Sequence, residues 1–172
     1  MSPHLARLGV RHWSLAGLAF CALMMAVALY LEHVVGLEPC PLCIFQRVAV
    51  LAAAAVFAVA ALHNPGGRVA PAVYGALGLS AVIGGIGVAW RHLWLQSLPP
   101  EEVPSCGPGL DYMMDLLPWR DVVAMVFSGS GECAEIDFLL LGISLPGWTL
   151  IGFLVLAVAP LGLVLMAFRE RV

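Results

Sequence analysis

Charge is scarce in this sequence. Only 11% of its 172 residues are Asp, Glu, Lys or Arg, and 62% are apolar, whereas a soluble domain carries about 25% charged residues. This shortage excludes a soluble globular domain and indicates an integral membrane protein. Lysine is absent, and eight arginines against eleven acidic residues give a net charge of −3. The sequence therefore has no broad basic surface, which excludes nucleic acid as a partner.

Long runs without a charged side chain predict four membrane-spanning helices. A helix needs about 20 apolar residues to cross the hydrocarbon core. The runs predict an all-α, four-transmembrane-helix bundle that forms one integral membrane domain over residues 1–172, with spans at about 13–31, 45–62, 69–90 and 145–168. Residues 1–31 could instead be a signal peptide cleaved near Ala28. The apolar run continues to Leu31, which favours a span.

The arginines predict the orientation of the bundle, because basic residues favour the cytoplasmic side of a membrane. Five of the eight lie beyond span ends on one side: Arg7, Arg11, Arg68, Arg169 and Arg171. Both termini are therefore predicted to be cytoplasmic. Loops at about 32–44 and 91–144 would face the opposite side, which is the periplasm in a bacterium. The second loop holds five prolines and eight of the eleven acidic residues, and a connection of that length is usually functional or mobile.

The predicted topology separates the five cysteines into two groups. Cys21 lies in the middle of the first span, where a neutral thiol acts as a small apolar side chain, so we interpret it as structural. The other four lie on the outer side, in a compartment that permits disulfides.

Cys40 and Cys43 form a CxxC motif at the start of the second span. Spacing alone leaves metal binding, haem attachment and redox chemistry open. Cys43 falls in the first helical turn, where free N–H groups and the helix dipole favour a thiolate. Arg47 follows at i+4 on the same face and adds a fixed positive charge. An interfacial arginine whose side chain reaches the headgroups is the alternative interpretation of Arg47, but the nearby cysteine favours a role in the site.

Cys106 and Cys133 lie in the long loop, surrounded by Gly, Ser and Pro. A disulfide between them could be a structural staple that restrains the loop. Their flexible context instead predicts exposed sulfur atoms that can exchange partners. A second dithiol pair beside a first pair at the membrane surface is what a thiol relay requires.

Taken together, these motifs resemble the disulfide bond formation protein B (DsbB) family, the quinone-linked thiol oxidases of the bacterial inner membrane. The most specific match is LEPCPLCIFQR at 37–47, with an arginine four residues after the CxxC. Further matches are Arg91-His92 with Leu95-Gln96, Cys106, SGECAE at 130–135 and LPGW at 145–148. The sequence departs only modestly from the family pattern: Gln46 replaces an acidic residue of some relatives, and Pro41 occupies the first variable position of the CxxC.

The resemblance implies a two-step electron path. A reduced periplasmic thioredoxin-like oxidase of the DsbA type would attack the Cys106–Cys133 disulfide at Cys106 and free Cys133. Cys133 would then attack Cys40 of a Cys40–Cys43 disulfide, with Cys43 as the leaving thiolate.

The resemblance also implies a quinone cofactor, ubiquinone or alternatively menaquinone. In the family the thiolate that matches Cys43 forms a charge-transfer pair with the quinone, which accepts two electrons. Arg47 would lie near the quinone ring and His92 close to the same site, although an interfacial histidine at a helix end is an equal alternative. His33 and Trp148 lie near the same interface and are candidate pocket residues.

Three other interpretations remain at this point. A vitamin K epoxide reductase-like protein also combines four helices, a CxxC and a quinone, but its CxxC comes late in the chain. Four outer cysteines could form a zinc site, which the positive charge of Arg47 opposes, so we predict no metal. A structural membrane protein with two stapling disulfides would leave Arg47 and the helix-mouth position of Cys43 unexplained.

Overall fold

The computed structural model describes residues 3–104, 110–129, 131–136 and 138–169. Four long helices dominate it: α1 (Pro3–His33), α2 (Pro41–His63), α3 (Val69–Gln96) and a fourth composed of α7 (Leu145–Leu156) and α8 (Val158–Arg169). Each contains a stretch long and apolar enough to cross a membrane. The predicted four-helix membrane bundle is confirmed, and the chain is a multi-pass membrane protein.

The long helices close into a ring around a common core. α2 packs between α1 and α3, α3 packs against α7 and α8, and α8 also contacts α1. Phe57, Phe153 and Leu163 are fully buried in this bundle core, and Cys21 lies among them, in agreement with a structural role for its thiol. Large apolar side chains on the outer faces, such as Leu23 and Leu51, remain exposed. Water would disfavour such surfaces, whereas lipid does not.

Local signals explain the boundaries of α2 and α3. Pro41 occupies the start of α2, where its missing N–H costs no hydrogen bond. Asn64 ends the helix in the left-handed conformation, with φ of 40°, and its N–H donates to Ala60 O. α3 continues to Gln96, beyond the predicted end near 90, because Arg91 ends the apolar run without ending the helix.

The fourth predicted span is interrupted near its middle. α7 ends at Leu156 and α8 begins at Val158. Pro160 explains the break, because it has no N–H to donate to the carbonyl of Leu156 four residues earlier. The two segments still form one apolar stretch from Leu145 to Phe168.

The long connection between α3 and α7 has secondary structure of its own. It contains the helices α4 (Leu110–Leu116), α5 (Trp119–Ser128) and α6 (Gly131–Ala134) and an antiparallel hairpin of β1 (Leu139–Leu140) and β2 (Ile143–Ser144). Leu141 and Gly142 have φ of 54° and 78° in the hairpin turn, as a type I′ turn requires.

A second buried cluster joins this connection to the bundle. Its members come from α2, α3, α5 and α6, and we call it the loop-side cluster: Leu42, Val88, Leu95, Val122, Val126 and Cys133. It brings the start of α2, the end of α3 and α6 to the same end of the bundle.

Candidate active site

The CxxC pair lies at the mouth of α2. Cys40 precedes the helix and Cys43 lies in its first turn, while Leu42 between them is buried in the loop-side cluster. The Cys40 thiol donates a hydrogen bond to Cys43 Sγ, with 3.1 Å between the sulfur atoms. The pair is therefore a dithiol in which Cys43 is the acceptor.

His92 brings α3 into contact with this pair. Its Nε2 lies 3.7 Å from Cys40 Sγ, and its Nδ1 lies 3.3 Å from Gln46 Nε2. Both His92 and Gln46 are buried. Gln46 therefore holds the imidazole from one side while its other nitrogen faces Cys40.

Arg47 projects from α2 toward the end of α1. Its Nη1 forms an ion pair with Glu32, and its Nη2 donates to Ala28 O over 3.3 Å. The two charged side chains are 22% and 28% exposed, so this arginine is packed between helices. The carbonyl end of α1 carries partial negative charge and adds to its stabilisation.

Cys133 is fully buried in the loop-side cluster, and Cys40 packs against the same cluster. The expectation of an exposed Cys133 is therefore wrong. The reason is that Val122 and Val126 of the amphipathic helix α5 pack into this cluster, whereas the Gly- and Ser-rich sequence around Cys133 had indicated an open loop. Cys106 lies outside the described residues.

A cavity of about 410 Å³ opens beside the dithiol. Its walls are largely apolar side chains of α1 and α7. Its polar lining residues include Glu32, Cys40, Cys43, Gln46, Arg47, His92, Gln96, Glu132 and Glu135. Trp148 also lines the cavity. His33 does not: it is exposed, and its Nδ1 lies 3.1 Å from Leu29 O of its own helix.

Hydrogen bonds attach the long connection to this end of the bundle. Gln96 Nε2 donates to Glu135 O over 3.3 Å, and Ser144 Oγ donates to Gln96 Oε1 over 2.8 Å. Trp148 Nε1 donates to Leu140 O over 3.0 Å. These bonds hold the hairpin and α6 close to the cavity.

Two residues of the site were not predicted from the sequence. Glu32 was assigned no role from the sequence, and Gln46 was interpreted only as a departure from relatives. A carboxylate at the end of one span and an arginine at the start of the next is the signal that could have paired Glu32 with Arg47. No local signal connects Gln46 to His92, which is 46 residues away.

The comparisons with known proteins agree on one family. The profile described as "Disulfide bond formation protein DsbB" matches residues 10–163. The chain belongs to the DsbB family. "Disulfide bond formation protein B" of Chromohalobacter salexigens is 61% identical over 163 residues, 95% of each chain. The protein of the same name from Nitrosococcus oceani is 53% identical over 155 residues, 90% of this chain and 91% of the relative.

Membership of the DsbB family confirms the sequence resemblance and decides against the vitamin K epoxide reductase-like alternative. The chain is a disulfide-forming oxidoreductase of the membrane. The matched range includes Cys40, Cys43, Cys106 and Cys133, and also Arg47 and His92.

Proposed function

We propose that this chain is a protein thiol:quinone oxidoreductase of the bacterial inner membrane. It would reoxidise a periplasmic thioredoxin-like dithiol oxidase of the DsbA type and pass the electrons to ubiquinone or menaquinone. The observation that carries this proposal is that Cys43, Arg47 and His92 line the same largely apolar cavity. The whole chain would act as one domain, with its termini in the cytoplasm and the cysteine-bearing end in the periplasm.

The residues around the cavity fit a quinone. Small-molecule sites have volumes of about 300–1,000 Å³ and apolar walls with a few polar groups, and this cavity meets both conditions. Phe20, Met24 and Ile151 would contact the apolar part of the molecule, while Arg47 and His92 would lie at its polar head. When bound, a quinone supplies an acceptor for two electrons and two protons.

Cys43 and Arg47 would hold the negative charge that develops at the site. Cys43 lies in the first turn of α2, where free N–H groups and the helix dipole favour a thiolate. Arg47 lies one turn further on the same face, and its contacts with Glu32 and Ala28 O fix its position. With the Gln46 amide turned so that its Oε1 accepts from Nδ1–H, His92 Nε2, 3.7 Å from Cys40 Sγ, would take up and return the proton of the Cys40 thiol.

Cys133 would carry electrons from the loop to the CxxC pair. Its thiolate attacks Cys40 Sγ of the Cys40–Cys43 disulfide, a Cys133–Cys40 bond forms, and the electron pair of the broken bond leaves on Cys43. The partner's second thiol attacks the mixed disulfide between the partner and Cys106 and releases Cys106, which then attacks Cys133 and releases Cys40. The partner dithiol becomes a disulfide and the CxxC pair becomes a dithiol, so two electrons move inward. The packing of Cys40 against the cluster that contains Cys133 supports this order.

Electron transfer in the purified full-length protein tests the proposal. A reduced thioredoxin-like protein is mixed with the enzyme and a soluble ubiquinone, and quinone absorbance and partner thiols are followed together. Wild type should transfer two electrons for each partner oxidised, and Cys43→Ser and Cys106→Ser should not. Failure of the wild type to reduce quinone would refute the proposal.

Arg47→Ala tests the role of the arginine, with Arg91→Ala as the matched control. Arg91 stacks on Trp94 near the same end of the bundle and does not line the cavity. Loss of a charged contact costs about 1.5–3 kcal/mol, so Arg47→Ala should slow quinone reduction about 10- to 100-fold. Arg91→Ala should not slow it. Exchange between the partner and Cys106 should be unchanged in both variants. If Arg47→Ala reduces quinone as fast as wild type, Arg47 has no role in quinone reduction.

A further inference from the structure

Three potential metal ligands converge in the dithiol form of the site. Cys40 Sγ, Cys43 Sγ and one ring nitrogen of His92 all lie within 4.8 Å of one another. The nitrogen that faces the pair is Nε2, 3.7 Å from Cys40 Sγ, and the sulfur atoms are 3.1 Å apart. Two cysteines and one histidine are a common ligand set for a metal with an open fourth position.

We propose that the reduced site captures a thiophilic divalent cation of the Zn²⁺ class through Cys40, Cys43 and His92, and that the bound cation blocks oxidation of the dithiol. The two thiols lose their protons on binding, so two thiolates neutralise the cation. A disulfide between the same cysteines has no thiolate to offer. Capture is therefore restricted to the reduced protein and needs neither quinone nor protein partner.

One of the three ligand separations already matches tetrahedral coordination. Zn–S and Zn–N bonds of about 2.3 and 2.0–2.1 Å require about 3.8 Å between two sulfur ligands and about 3.6 Å between sulfur and nitrogen. The separation of Cys40 Sγ and His92 Nε2 is already 3.7 Å. The sulfur atoms, now 3.1 Å apart, must separate by about 0.7 Å.

Metal-bound histidines usually form a hydrogen bond through the ring nitrogen that does not bind the metal, and Gln46 supplies the partner for this bond. Its amide group lies 3.3 Å from His92 Nδ1. With the Gln46 amide turned over, its Oε1 accepts a hydrogen bond from His92 Nδ1–H. The lone pair of His92 Nε2 is then directed toward the cysteines. Because Cys40, Cys43 and His92 all line the cavity, the fourth coordination position is open to water.

The positive charge of Arg47 is offset at this site. From the sequence, this arginine argued against a cation beside Cys43. The ion pair with Glu32 supplies a compensating carboxylate on the same side of the cavity. The charge near the dithiol is therefore more favourable to a cation than the sequence indicated.

Cobalt uptake tests the proposal without any activity measurement, because thiolate-bound tetrahedral Co²⁺ has intense visible bands. Co²⁺ is added to the full-length reduced protein and then displaced by Zn²⁺. The reduced wild type should bind one equivalent, and the oxidised wild type none. Cys21→Ala, which removes a thiol from the bundle core, should behave as wild type. Absence of the Co²⁺ bands in the reduced wild type would overturn the proposal.

Ligand variants identify the atoms that bind. Cys43→Ser and His92→Ala should each abolish the thiolate–cobalt spectrum or weaken Co²⁺ binding more than about 100-fold, and Gln46→Leu should weaken it about 10- to 100-fold. The double variant Cys106→Ser/Cys133→Ser keeps the proposed ligands and should bind as wild type. Loss of binding in this double variant, or unchanged binding in His92→Ala, would assign the cation to other ligands and refute the proposal.

Discussion

Gly75→Ala should weaken the packing of α3 against α8. A Cβ at Gly75 would lie 2.6 Å from Val164 Cγ2, 2.9 Å from Pro160 O and 3.0 Å from Val164 N. Two of these three atoms belong to the backbone of α8, so a change of side-chain rotamer cannot relieve the overlap. The helices must move apart, because carbon atoms pack best at about 3.5–4.0 Å.

The loss of stability expected for Gly75→Ala follows from two opposing effects. Insertion of a methyl group into a packed core usually costs about 1–3 kcal/mol. Alanine is favoured over glycine within a helix by about 1 kcal/mol, which offsets part of this cost. Gly84 lies on the same helix, and a Cβ there would meet nothing within 4 Å. Gly84→Ala therefore isolates the helix effect, and Gly75→Ala should be about 1–3 kcal/mol less stable than this control.

Reversible unfolding in mixed micelles, with increasing denaturing detergent, measures this difference. Wild type, Gly75→Ala and Gly84→Ala are compared by the free energy of unfolding. Gly87→Ala, another substitution on α3 with open space around its Cβ, is a second control. Equal stability of Gly75→Ala and the two controls would show that the backbones of α3 and α8 are not in close contact at this point.

Two further substitutions test the ion pair and the buried thiol. Glu32→Gln should lower the free energy of unfolding by about 1–2 kcal/mol, between the values for exposed and buried pairs, because Arg47 loses its partner. Asp121→Asn is the control: its pair with Arg120 is exposed, and the same measurement should change by less than about 0.5 kcal/mol. Cys21→Ala should leave partner oxidation unchanged and cost about 1 kcal/mol of stability for the lost sulfur contacts. Slower partner oxidation in this variant would contradict a purely structural thiol.

The sequence was sufficient for features that depend on neighbouring residues. Four uncharged runs predicted four helices because lipid requires a continuous apolar surface of fixed length. The CxxC motif was predicted at the start of the second span, and Cys40 precedes α2 while Cys43 lies in its first turn. The break before Pro160 could also have been predicted, since a proline inside a helix removes a hydrogen bond wherever it occurs.

Features that depend on packing between distant segments could not be predicted in this way. Arg47 pairs with Glu32 because α1 and α2 lie side by side at one level. The burial of Cys133 depends on where α5 docks, and the composition around Cys133 indicated the opposite. The contact between Gln46 and His92 likewise requires the register of α2 against α3.

The burial of Cys133 bears directly on the selectivity of the proposed relay. A small thiol in the surrounding solution can attack a disulfide only where it reaches the sulfur along the S–S axis. Val122 and Val126 pack with Cys133 in the loop-side cluster, which Cys40 also contacts. In the proposed relay, Cys133 would therefore be shielded from solution thiols by its burial. Cys106 would be the cysteine that the protein partner attacks, so selection among external thiols at the loop pair would occur there rather than at Cys133.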